Sequence, residues 1–314
     1  MLKCVMLLFI AGIGGDLGFD DSFERLLDNG RRQAGKNKEV NYLNETYFPI
    51  LEQYQVNAKR VKEDTYPWIA RVVHSRKADK PHVCTAVCLN EGVFATAARC
   101  IYRLVVSYTT VIFRKVRFPS VAFVVPTKTT KQLHDDIGFI VVDKSKLNKW
   151  PVVEPYGVSN RTDNIFKWLT NLMPKLRNII GLHKIAATHP LYELTELPVT
   201  LGMNICPKIL SFHKQFNGFR VPCYHSCNVN EFMNKTKKCG NYHGVEGGAL
   251  LDKTSNKLIG VATWGAHFQS LELPVGVSVP NSWNFFSDYE CAQRISKIVH
   301  KNIKPGYYKS LCKG

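Results

Sequence analysis

The sequence predicts an all-β chain, an antiparallel barrel or sandwich closed by a single C-terminal helix. Three observations carry that expectation. Short β-like runs recur from Tyr66 onward: Trp68–Val73, Gly92–Thr96, Val105–Phe113, Ser120–Val125, Ile137–Val142, Pro198–Leu201, Ala249–Leu251 and Leu258–Trp264. Turn residues and charges separate them, and many short strands over more than 200 residues form the pattern of a barrel or sandwich. The composition, 45% hydrophobic and 21% charged over 314 residues, is that of a globular chain with a sizeable core, neither disordered nor coiled coil. Near the C-terminus Tyr289, Ala292, Ile295, Ile298 and Val299 repeat at helical spacing, with Ser287 placed to cap the helix.

The N-terminus points to export. Lys3 precedes an apolar run from Cys4 to Ala11, and the small residues Gly12, Gly14 and Gly15 follow. Residues 1–15 therefore read as a secretory signal peptide, and the chain is expected to be secreted and extracellular. No later stretch reaches the roughly 20 apolar residues that a membrane span needs, so no transmembrane anchor is expected. Glycosylation sequons at Asn44, Asn160 and Asn234 agree with export. So do the ten cysteines, many for a cytosolic protein. Loss of Cys4 with the signal peptide leaves an odd number, so one thiol is left free or pairs with another chain. Residues 16–60 read as a polar extension with dibasic pairs at Arg31-Arg32 and Lys59-Arg60, a tail or a processing region. Residues 304–314 read as a basic tail.

Charge narrows the partners without choosing one. There are 42 Lys and Arg against 25 Asp and Glu, a net charge of +17. That balance suits a polyanion such as a heparin-like glycan, an anionic surface or an acidic protein, and solubility alone is the plainer alternative. Basic clusters occur at Arg114-Lys115-Arg117, at Lys128 with Lys131, at Lys235-Lys237-Lys238 and in the C-terminal tail. No zinc-finger, helix-turn-helix or RNA-binding signature accompanies them, so nucleic acid is not an expected partner.

Four landmarks follow one another in a fixed order. They are Tyr66-Pro67-Trp68; Cys84 followed by Thr96-Ala97-Ala98-Arg99-Cys100; Asp135-Asp136-Ile137-Gly138; and Gly244-Val245-Glu246-Gly247-Gly248, with Gly260–Gly265 behind it. Together they resemble the trypsin/chymotrypsin-like serine proteases over roughly Val61 to Asn302. That resemblance implies a double antiparallel β-barrel domain over 61–303. One six-stranded barrel would span about 61–160 and a second about 161–285, with the C-terminal α-helix beyond. It also implies a disulfide between Cys84 and Cys100. In the family the first motif carries a general-base His where this chain has Arg99. Asp136 matches the Asp that orients that His. Glu246 stands at the nucleophilic Ser, and Val245 replaces the Asp before it. The resemblance further places the oxyanion hole at Gly244 and Glu246, and the specificity pocket at Lys237, Thr263, Trp264 and Gly265.

Acyl transfer of this type needs a nucleophile and a base within hydrogen-bond reach. Arg has no lone pair to accept a proton, and a carboxylate is a poor nucleophile toward amides. The degenerate triad Arg99, Asp136 and Glu246 therefore predicts a non-catalytic protease homologue without a cofactor, and Val245 cannot form the family's activating ion pair. The expected role is that of a binding or regulatory partner of an extracellular protease, a zymogen or a protease substrate. A polyanion binder and a residual serine-type endopeptidase are the alternatives. Homologues of this kind often carry an N-terminal clip domain, and no cysteine for one lies between Cys4 and Cys84. The three charged residues are also expected to form an Asp136–Arg99–Glu246 ion cluster in place of the triad. A metal reading of His243 and Glu246 lacks further ligands nearby, and Trp264-Gly265 is either a peptide-pairing strand or simple core.

Overall fold

The computed structural model describes residues 59–75, 82–102, 104–126, 136–155, 177–184, 192–201, 223–225, 246–252, 256–264, 267–268, 271–272, 275–278, 283–299 and 306–307. Apart from Phe268 and Leu271 they belong to one compact unit, Glu45–His267 with Glu272–Gly314.

After a short strand β1 (Lys59–Arg60) the first barrel begins. Its strands are β2 (Ile69–His74), β3 (His82–Asn90), β4 (Val93–Ala97), β5 (Thr109–Phe113), β6 (Val116–Val124) and β7 (Ile137–Val142). They pair in the order β6-β5-β2-β3-β4-β7, and β6 also pairs with β7, so the six-stranded ring closes. The strand alternation expected of a barrel is plain in β5, where Thr109, Val111 and Phe113 are buried and Thr110 and Ile112 are half-exposed. Large rings fill the interior. Trp150 lies 5.9 Å from Phe94, 5.5 Å from Phe113 and 5.2 Å from Phe118 between ring centroids.

The second barrel uses β8 (Arg177–Lys184), β9 (Tyr192–Leu201), β10 (Cys223–His225), β11 (Ala249–Leu251), β12 (Leu258–Trp264) and β15 (Val275–Ser278). Between β12 and β15, the two-residue strands β13 (His267–Phe268) and β14 (Leu271–Glu272) pair with each other. The ring runs β8-β9-β10-β15-β12-β11 and closes through β11 and β8. All six of its pairings are antiparallel. The linker from the first barrel reaches the second at Pro155, which bridges Leu258. The expected pair of six-stranded antiparallel barrels is therefore the observed architecture.

Several boundaries differ from the sequence reading. Lys59 and Arg60, expected in a polar extension, pair with Glu196 and Thr195 of β9. Gly306–Tyr307 (β16), expected in a basic tail, pairs in parallel with Ala122 and Phe123 of β6. The helix α2 spans Trp283–Ile298, so Ser287 lies within it and is not its cap. Phe285, ahead of Ser287, extends the helix by packing on the first barrel. Phe285 and Tyr289 stand 5.5 and 5.6 Å from Phe139. Tyr289 also donates to the Leu89 carbonyl at 3.1 Å, and burial pushes its phenol up to about 12. Cys291 on this helix is disulfide-bonded, and Cys88 is a free, buried thiol. No helix among the described residues is long and apolar enough to cross a membrane.

Thr85 on β3 is fully buried where the two barrels meet, and each of its polar atoms is used. Its N–H donates to the Glu246 carbonyl at 2.9 Å. Its carbonyl accepts from Thr96 Oγ1 at 2.7 Å, and its own Oγ1 accepts from the Leu182 N–H at 2.9 Å. Gly247 completes the junction at φ +82°, where a Cβ would stand 1.9 Å from the Thr85 carbonyl oxygen. Both the left-handed backbone and the contact exclude a side chain. Tyr66, at the entrance to β2, adds a second clasp by donating to Glu196 of β9 at 2.5 Å. Its phenol is pushed well above the ordinary range, first by burial and then by that carboxylate.

Gly247→Ala is therefore expected to destabilise the protein by about 3 kcal/mol, strain and overpacking together, in urea unfolding. A loss below about 1 kcal/mol would show that the barrels do not depend on this close approach.

Candidate functional site

The site begins where β4 runs out. Ala97 is still extended (φ −64°, ψ 128°), and Ala98–Ile101 then turn into the short helix α1. No side chain of its own caps α1. Asp136 does so from the facing strand. The β4–β7 register pairs Ala97 with Ile137, so residues just past that pair meet at the barrel end. The Asp136 carbonyl accepts from the Ala98 N–H at 3.0 Å, and its Oδ1 accepts from the Arg99 N–H at 3.0 Å. Its Oδ2 takes a short charge-assisted bond and ion pair from Arg99 Nε. Gly138 lets α1 come this near, since a Cβ there would stand 3.0 Å from Ala98 Cα and 3.1 Å from Ile101 Cδ1. The Cys84–Cys100 disulfide, with 6.3 Å between Cα atoms, ties α1 to β3.

The electrostatics follow from burial. Asp136 has no exposed surface, while the Arg99 side chain is 27% exposed. Desolvation pushes the Asp136 carboxyl up, and the Arg99 charge and hydrogen bonds pull it back, leaving it at about 6. The pair is thus a buried anion held by a cation whose outer edge faces solvent. Among the described residues, Asp136 is the sole ion-pair partner of Arg99.

Glu246 lies half-buried in the turn before β11 and offers its carbonyl to Thr85. No ion pair among the described residues joins it to Arg99, so the expected three-membered cluster reduces to the Arg99–Asp136 pair. Thr263 and Trp264 close β12, where Trp264 pairs with Gly276 of β15 after a register shift. Gly244, Gly265 and Lys237 lie outside the described residues, as do His243 and the sequons at Asn44, Asn160 and Asn234. Among the described residues no group of His, Cys, Asp and Glu is arranged to hold a metal ion.

The sequence reading missed Thr85. Its only local signal is a polar residue in an otherwise apolar strand, between Val83, Cys84 and Ala86.

No family model matches the chain, and no curated protein matches it. Solved structures do. VesB protease of Vibrio cholerae superposes with a TM-score of 0.52 at 17% identity, over 79% of this chain and 68% of its own. The secreted serine protease VesC of the same organism gives 0.53 at 15% identity, over 74% of this chain. The chain spans about half of VesC, 48% of its length. The scabies mite inactivated protease paralogue S-D1 gives 0.55 at 16% identity, over 80% of this chain and 99% of its own. The fold is the trypsin-like double barrel. At these identities the likeness establishes the architecture, and chemistry has to be argued from the residues.

Because the folded carboxyl of Asp136 titrates above its ordinary 3.8, its contribution to stability is largest below about pH 3.8 and falls as pH rises toward 6. Arg99→Ala removes the charge and side-chain hydrogen bond that pull that value down and leaves only the backbone N–H bond, which extends the loss to higher pH. The variant is therefore expected to cost about 1 kcal/mol at acid pH, where the carboxyl is protonated. At pH about 8 the cost should be about 3 kcal/mol, since an unpaired buried charge remains. Urea unfolding at both pH values tests this, and a pH-independent difference would contradict the buried-pair account.

Proposed function

We propose that the chain is a secreted, catalytically inactive serine protease homologue that works by binding, as a cofactor or decoy in an extracellular protease pathway. The observation that carries this is Arg99. The trypsin-like fold needs a proton acceptor at that position. The guanidinium there has no lone pair, stays charged and commits its Nε–H to Asp136. Glu246 at the nucleophile position supplies a carboxylate, which is a poor attacker of an amide carbonyl. Loss of single triad members already leaves only the residual help of substrate binding and the oxyanion hole, and here base and nucleophile positions both differ. The likeness to the mite inactivated protease paralogue favours the same reading. The apolar run after Lys3 and the Cys84–Cys100 bridge favour an oxidising, extracellular setting.

A protein of this kind acts through its surface. A partner protease, its zymogen or its substrate is the proposed occupant of the surface around Arg99 and Glu246.

The test has two readouts. A serine-directed fluorophosphonate should not label the protein, and peptide substrates should not be cut. Affinity capture from the native fluid at physiological salt should recover a protease or zymogen near one-to-one. Labelling of this chain, or turnover that follows it through purification, would overturn the inactive reading. Absence of any protease from the captured material would overturn the partner reading.

A further inference from the structure

The hairpin between β5 and β6 is built against its own backbone preference. Its two connecting residues are Arg114 and Lys115, with φ of 49° and 65°. A two-residue turn with both φ values positive favours Asn-Gly, which reaches that conformation without steric cost. Two side chains with ordinary Cβ atoms are strained there. The strained residues are both cations, and both are exposed. Arg117 stands on the outer face beside them, since its neighbour Phe118 is buried in the barrel. Arg117 pairs across the ladder with half-exposed Ile112 of β5. No ion pair among the described residues involves Arg114, Lys115 or Arg117.

We infer that this hairpin is a binding surface for a sulfated polysaccharide. Uncompensated cations on long exposed stems recognise charge density rather than one shaped group, and sulfate esters remain ionised at every physiological pH. The chain's net charge of +17 works in the same direction at longer range. A membrane is the poorer fit. The exposed large apolar side chains of the described residues are Val105, Tyr108 and Val152, and none lies on the hairpin, so nothing there inserts into lipid. Single-stranded nucleic acid is a poorer fit too, because the hairpin's outward neighbours Thr110, Ile112 and Pro119 offer no aromatic face for base stacking. This inference is independent of whether the site at Arg99 and Glu246 is catalytic.

The test uses the full-length chain and size-fractionated heparin oligosaccharides, titrated over a range of salt. The decisive variant is Arg114→Asn with Lys115→Gly, which removes two cations and installs the pair the turn prefers. Its melting temperature should rise while its Kd for heparin rises about tenfold at about 150 mM salt. The slope of log affinity against log salt should fall by about two. Arg117→Gln keeps the turn intact and should lower that slope by about one. Lys146→Gln with Lys149→Gln removes the same charge from exposed positions after β7, and should leave affinity within about twofold. Equal losses in the hairpin and control variants would overturn the proposal in favour of diffuse charge. Binding to phosphatidylserine vesicles without binding to heparin would overturn it in favour of a membrane. A lower melting temperature in the Asn-Gly variant would overturn the strain argument.

Discussion

The close approach of Gly247 to the Thr85 carbonyl is the constraint on which the rest of this structure depends. Thr85 belongs to the first barrel, while Glu246 and Leu182, which share its polar atoms, belong to the second. Each barrel closes on itself and has its own apolar interior, so nothing within either ring dictates how the two are set. The alignment is set chiefly by one buried threonine, whose N–H and Oγ1 bond across the junction while its carbonyl is held within the first barrel by Thr96, with Tyr66–Glu196 as a second tie. A buried polar group is costly unless satisfied, so this arrangement penalises any slip of one barrel against the other. The same turn carries Glu246, so that residue's backbone is fixed by the contact that joins the barrels.

The Arg99–Asp136 pair holds a fully buried carboxylate against a guanidinium at the barrel end. The guanidinium charge is permanent. Asp136 also receives the Ala98 and Arg99 amides, so it ends β4 and starts α1. Local architecture at the barrel end does not depend on the side chain of residue 99, because the two amide hydrogen bonds to Asp136 are made by the backbone. An Arg in this place keeps the Asp ionised more readily than an apolar residue would, which makes it a substitution the fold tolerates.

The sequence revealed these elements unevenly, for physical reasons. Strands β7, β11 and β12 were legible to the residue, since short apolar runs bounded by turn residues carry their own signal. Strand β3 was not, because Val83 to Leu89 are buried on both faces and the alternation that marks a half-exposed strand disappears. Strand β8 mixes Ile179 and Ile180 with Arg177, Asn178 and Gly181, and β10 has only three residues, so neither stands out. The early start of α2 was hidden because Phe285 reads as a strand residue until its partner Phe139 is known. At the site, motif order brought Arg99 and Asp136 together correctly. It did not give the missing ion pair between Glu246 and Arg99, since spacing along the chain carries no side-chain direction.

The placement of Lys59 and Arg60 bears on how the chain would meet a processing enzyme. Both side chains are exposed, and a dibasic pair in a loop is an easy target. Here the backbone of the pair is hydrogen-bonded along β9, the Val61 N–H donates to the Leu194 carbonyl, and Arg60 is paired with Glu193 at 2.8 Å. An endopeptidase needs an extended, unpaired segment several residues long. Susceptibility at this point is therefore governed by how often the strand peels from its sheet rather than by how visible its side chains are. A ligand that stabilises the second barrel would slow the cut without touching the cleavage sequence.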